Sequence, residues 1–119
     1  MNFRTKGNKY EKVAAGYLRH LSYELVALNW CCRWGEIDII LFEDDTLVFV
    51  EVKYRKHNQF DIDEVLTPKK RFALKRSIFI YLKENDLFDK NWRFDLFYIT
   101  DSVKNIGKLE YNHFRNILL

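Results

Sequence analysis

The chain has 119 residues, 48% hydrophobic and 17% aromatic, and a formal charge of +3 from 20 basic and 17 acidic side chains. That length fits one domain, residues 1–119, which buries about two-thirds of the surface its unfolded chain exposes; one proline and four glycines exclude a linker or low-complexity tail. No apolar run reaches the roughly eighteen residues of a membrane span, and the N-terminus lacks the apolar core of a signal peptide, so the expected location is cytoplasmic, with no membrane partner.

Tyr10, Val13, Ala14, Tyr17, Leu18 and Leu21 recur at three- and four-residue spacing, which predicts an amphipathic helix over 5–21. Glu11 falls on the border of its apolar stripe. A strand follows over 23–31, ending beside Cys31 and Cys32, whose adjacency suits neither a zinc ligand pair nor a redox motif and reads as two reduced, partly buried thiols. His20, His57 and His113 are scattered singly and read as surface or packing residues.

Residues 34–55 carry two runs of β-branched and aromatic residues around Glu43, Asp44 and Asp45, the pattern of an antiparallel hairpin. A turn centred on Asp44 and Asp45 sets Phe42 opposite Leu47, Asp38 opposite Glu51 and Glu36 opposite Lys53. Alternation puts Glu36, Asp38 and Ile40 on one face, with Ile37, Ile39 and Leu41 on the other. Like charges directly opposed in a hairpin destabilise it, so a cation is expected between Asp38 and Glu51. Solvated polar positions and a divalent-metal site both fit this register; for Mg²⁺, one or two carboxylates and a backbone carbonyl suffice.

Beyond Arg55 a loop over 56–61 precedes a helical turn over 61–66. Thr67 and Pro68 form a helix start, with threonine capping and proline at the first position, for a helix running to about Asn85. Between Lys53 and Arg76 eight basic residues face three acids, which suits a polyanionic partner. Leu74, Ile78, Tyr81 and Leu82 form one apolar face of the helix; Phe72, Phe79 and Ile80 lie around the other side, to be covered by the C-terminal segment or a dimer interface. Residues 92–100 predict a strand parallel to the Glu51 strand, reached through the helix. Arg93 and Asp95 on it read as a structural ion pair. A short edge strand over 108–111 and a closing helical turn over 112–119 complete the chain.

Gly35-Glu36-Ile37-Asp38 followed by Val48-Phe49-Val50-Glu51-Val52-Lys53-Tyr54-Arg55 resembles the YraN-like family of bacterial proteins, within the restriction-endonuclease-like superfamily whose signature is Asp…(Asp/Glu)-x-Lys. Asn29, Lys70 and Arg93-Phe94-Asp95 match the same pattern. Cys31 stands where the family often has arginine, and no glycine lies near Asp61.

The resemblance implies an α/β fold with a mixed central β-sheet flanked by helices. It implies Mg²⁺ or Mn²⁺ held by Asp38, Glu51 and the Val52 carbonyl, with Lys53 beside them, Glu11 as an additional acid from the first helix and Glu36 as an accessory. The activity implied is a metal-dependent endonuclease acting on DNA, on branched or damaged structures, related to Holliday-junction resolvases. Arg55, Lys69, Lys70, Arg71, Lys75 and Arg76 are the expected backbone contacts, without sequence specificity. A homodimer is compatible with that reading. A binding module with no catalysis and a processing ribonuclease are the alternatives.

Overall fold

The computed structural model describes residues 9–57 and 60–119. Its elements are α1 (Lys9–His20), β1 (Glu24–Cys32), β2 (Gly35–Glu43), β3 (Thr46–Arg55), α2 (Ile62–Val65), α3 (Pro68–Glu84), β4 (Trp92–Asp101) and β5 (Leu109–Phe114). The expected beginning of the first helix at Thr5, and Asn58 and Gln59 of the loop, lie outside the described residues.

The strands form one five-stranded sheet in the order β1-β2-β3-β4-β5. Only β3 and β4 are parallel; the other pairs are antiparallel. Successive hairpins need only tight turns, whereas the parallel pair needs a crossover, and α3 provides it. The hairpin register is as expected, with Phe42 opposite Leu47 and Ile39 opposite Val50, and Asp44 takes the positive φ of 52° that the turn demands.

Helix α1 lays Ala14, Ala15 and Leu18 on one face of the sheet, against Ile39, Leu41, Val48, Val50 and Phe97. Helix α3 covers the opposite face with Leu74, Ile78, Tyr81 and Leu82, packed on Ile37, Ile40, Phe49 and Phe94. Pro68 opens α3, and the Thr67 hydroxyl accepts the Lys70 N–H at 3.1 Å. The cap satisfies one of the amides that a helix start leaves without a partner.

Two expectations are corrected. Ile37 does not share a face with Ile39 and Leu41; it lies in the α3-side core while they lie in the α1-side core. Strict alternation fails because the paired residues skip Asn29 and Asp38, and Asn29 takes a left-handed φ of 51°. The C-terminal residues form no helix. Strand β5 continues to Phe114, and the extended tail ties the Ile117 N–H to the Phe94 carbonyl at 2.7 Å. Ile117 and Leu119 then pack on the α3-side core. The tail leaves Phe72 and Phe79 of α3 exposed; each meets a tryptophan edge-on, Trp34 and Trp92 respectively.

The Arg93–Asp95 pair is structural, as expected, and it is the hub of a network. Arg93 donates to Asp95 at 3.0 Å, to Glu43 at 2.7 Å and to the Tyr23 hydroxyl at 3.0 Å. Asp95 also holds His113 at 2.8 Å and accepts the Asn116 N–H at 2.9 Å. These bonds fasten β2, β4, β5 and the tail at the end of the sheet where β3 begins.

Candidate metal centre

The ladder between β2 and β3 ends at Ile39–Val50. One residue further, the Asp38 carboxylate accepts the Val52 N–H at 2.8 Å. A side chain thus takes an amide that would otherwise lack a ladder partner, and the two strands part around it. Within this gap Asp38 is 8% exposed and Glu51 6%.

Helix α1 brings the next acid. Glu11, in its first turn, is 4% exposed. The Asn29 amide donates to Glu11 at 2.6 Å and to Glu36 at 3.1 Å, so one side chain binds two carboxylates together. The left-handed backbone of Asn29 interrupts the alternation of β1; asparagine tolerates that conformation better than most residues. Carboxylate oxygens of Glu11, Glu36 and Asp38 lie within 4.8 Å of one another.

Glu51 lies on the α3 side of this group. Lys70, from the first turn of α3, reaches it at 2.9 Å with a side chain still 45% exposed. Burial alone would lower the Lys70 pKa, but the charges of Glu51, Asp38 and Glu36 outweigh it and hold the ammonium above its usual range. A cation is expected between Asp38 and Glu51 from the hairpin register; on the Glu51 side the protein itself supplies one, Lys70. It offsets one charge among four acids.

Asp38 bears the cost. Burial, the neighbouring Glu51 charge, the Glu11 charge and a hydrogen bond with Glu36 together push its pKa up to about 10, although the Val52 N–H pulls the other way. Within this setting the neutral, protonated form of Asp38 is strongly favoured over the anion.

The sequence-predicted residues divide accordingly. Asp38, Glu11 and Glu36 come together, with Val52 contributing its N–H to Asp38; Glu51 is not part of that three-acid cluster and is paired with Lys70, acting on Asp38 through its charge. Lys53 is half-buried two residues beyond Glu51, on the same face of β3. The ladder that would set Lys53 against Glu36 stops short, and Glu36 is bound by Asn29 instead. Of the basic residues, Arg55, Lys69, Lys75 and Arg76 are exposed. Arg71 is turned inward onto the Leu66 and Leu118 carbonyls, at 2.8 and 2.6 Å. Arg76 lies over the Trp34 ring at 4.8 Å. Asn29 gave one signal in the sequence, an asparagine inside an apolar strand six residues before Gly35.

The fold and site define a class: a small mixed-sheet α/β domain that gathers buried acids where two antiparallel strands part. Residues 10–99 match the model of uncharacterised protein family UPF0102, and the chain belongs to that family. A UPF0102 protein of Carboxydothermus hydrogenoformans is 35% identical over 119 residues, covering 99% of this chain and 98% of the relative. One from Herpetosiphon aurantiacus is 40% identical over 112 residues, covering 90% and 88%. One from Syntrophomonas wolfei is 37% identical over 107 residues, covering 89% and 90%.

Proposed function

We propose that this protein is a divalent-cation-dependent endonuclease of the restriction-endonuclease-like kind, hydrolysing phosphodiester bonds of DNA. The observation that carries the reading is the buried acid group, in which Asp38 is held among Glu11, Glu36 and Glu51. Gathering acids in a buried gap is costly unless a counter-ion offsets them or one of them takes a proton.

The donor set fits Mg²⁺ or Mn²⁺. All the ligands are hard oxygens, and ligand atoms on an octahedral ion with bonds of about 2.1 Å lie up to about 4.2 Å apart. The 4.8 Å limit on Glu11, Glu36 and Asp38 is close to that span. Asp38, Glu51 and the Val52 carbonyl are the ligands of choice, with Glu11 and Glu36 holding further charge or water. When bound, the ion supplies Lewis-acid polarisation of the phosphate and a water acidified toward neutral pH.

The chain's own residues do the rest. Asn29 fixes the spacing of Glu11 and Glu36, and the Val52 N–H fixes Asp38. Lys53 and Lys70 are the two ammonium groups nearest Glu51 by strand position and by contact, available to offset charge that develops on the phosphate. Arg55, Lys69, Lys75 and Arg76 offer phosphate contacts that weaken with salt.

The direct test incubates the protein with single-stranded, duplex, flapped and four-way-junction DNA and an RNA control, in Mg²⁺, Mn²⁺ or EDTA. Cleavage by wild type that EDTA stops and that Asp38→Ala and Glu51→Gln lose is the expected result. Equal cleavage by all three proteins, or none from any while all bind alike, defeats the proposal.

Lys70 gives a second, independent readout. Because its ammonium competes with an incoming ion for Glu51, Lys70→Met is expected to bind Mn²⁺ about tenfold more tightly in calorimetry, a difference of about 1.4 kcal/mol. Unchanged affinity would show that the Lys70–Glu51 pair opens freely and plays no part in ion entry.

A further inference from the structure

A concavity of about 680 Å³ lies at the end of the sheet where β3 and β4 finish. Lys9, Lys56, His57 and Lys108 line it, from the first turn of α1, the segment after β3 and the turn before β5. The carboxylate it also contains, Asp101, accepts the Tyr54 hydroxyl at 2.8 Å. The lining is thus basic on balance. Lys9 and Tyr10 of its wall immediately precede Glu11 of the acid group, and Lys56 lies five residues beyond Glu51, about 17 Å along the strand direction.

The rim carries an unusual feature. Between β4 and β5, Val103 is 86% exposed and Ile106 97% exposed, with Lys104 and Lys108 interleaved. A floppy loop could hide such side chains, but this turn is internally braced. Ser102 donates its N–H to the Lys108 carbonyl at 2.9 Å, Lys108 donates to Asn105 at 3.0 Å, and the Asn105 N–H reaches the Ser102 hydroxyl at 3.0 Å. Gly107 supplies the φ of 84° that closes the turn. Two apolar groups are therefore held out in water on a braced turn, with Lys104 and Lys108 interleaved among them in sequence.

We propose that the cavity and this tip are one binding surface for nucleic acid with unpaired bases: Lys9, Lys56 and Lys108 take phosphates of a strand leaving the acid group, and Val103 and Ile106 lodge against bases at a fork or branch. Lysines alone would hold any duplex by its phosphates. Apolar side chains gain only where base faces are open or base steps can be parted, so the tip confers preference for structure over sequence. This inference names the substrate class and rests on the nuclease reading only for the direction of the strand.

The test is made in EDTA, where no cleavage can occur. Fluorescence anisotropy compares a duplex, a single strand and a forked duplex of equal length across a salt series. Wild type is expected to prefer fork and single strand over duplex. A Val103→Ser/Ile106→Ser double variant should bind fork and single strand about tenfold more weakly and duplex as wild type does. A Lys56→Gln/Lys108→Gln variant should weaken on all three, with the log–log salt slope reduced by about 2. Thermal melting of each variant checks that these exposed changes leave the fold intact.

Equal fork binding by wild type and the Ser variant overturns the proposal. So does binding by wild type to phosphatidylglycerol vesicles but to none of the DNAs, since a basic apolar tip would then serve a lipid surface. The two readings fail separately: tip-dependent fork binding without cleavage in Mg²⁺ defeats the nuclease alone, and metal-dependent cleavage with tip-independent binding defeats only this surface.

Discussion

Asp38→Asn is expected to abolish metal-dependent cleavage and, in EDTA, to make the protein more stable than wild type. On the proposed function the loss follows from removing one of the carboxylates assigned to the ion, and should amount to about 10³-fold or more in rate. The gain follows from charge. Asparagine keeps an oxygen for the Val52 N–H and needs no proton, whereas burial, Glu51 and Glu11 force Asp38 to take one up on folding. Relief of about 1–2 kcal/mol is reasonable for a buried like-charge contact, and in a domain of this size it raises the melting midpoint by about 5–10 °C.

The pH dependence separates this from a generic packing gain. Unfolded, Asp38 titrates near 3.8; folded, its pKa is raised to about 10. Between those values the folded state holds the proton and the unfolded state does not. The stability this group contributes is present below about pH 4 and is lost as pH rises toward 10. The advantage of Asp38→Asn should therefore vanish near pH 4–5 and widen toward pH 9. Saturating Mn²⁺ should reverse the order, because only wild type gains the ion's binding energy. Metal binding by wild type should also release a proton, read as a buffer-dependent heat in calorimetry. A variant that melts below wild type at pH 8 in EDTA would remove the argument that the acids are held in repulsion.

What the sequence disclosed and what it withheld follow from how far each rule reaches. The hairpin register was legible because turn chemistry and the two-residue period of a strand are local, and Phe42–Leu47 pairing follows from the turn alone. Thr67-Pro68 placed the start of α3 for the same reason. The parallel β3–β4 pair was legible from a strand, a helix and a strand in succession. Local rules failed at Asp38. There the alternation breaks across the skipped pair of Asn29 and Asp38, so Ile37 changes faces and Glu36 turns to Asn29. Lys70 lies 19 residues from Glu51 in sequence, and its reach to that carboxylate depends on how α3 lies across the sheet. The tail, expected as a closing helical turn over 112–119, stays extended because the edge of β4 and the Phe94 carbonyl offer backbone partners.

The second large effect is on stability, at Asp95. This carboxylate is fully buried, and burial would raise its pKa, but His113, Arg93 and the Asn116 N–H outweigh that and hold it below the usual carboxylate range. Asp95→Ala leaves Arg93 and His113 without that partner, and breaking a buried pair from one side costs about 3–5 kcal/mol. Urea denaturation should show the midpoint fall with an unchanged slope. The sign of the pH effect is opposite to that of Asp38. A depressed folded pKa means that the stabilisation is present above about pH 4 and is lost as pH falls through the folded value, so wild type and Asp95→Ala should converge in acid. Arg93→Ala/Asp95→Ala together should cost less than the sum of the single changes, because the second removal no longer strands a buried charge on its partner. Strict additivity would mean that Glu43 and Tyr23 hold Arg93 independently of Asp95. The two carboxylates then stand as opposites within one sheet: Asp95 is satisfied by three donors that hold its pKa down, whereas Asp38, with one amide and three acids around it, has its pKa pushed up.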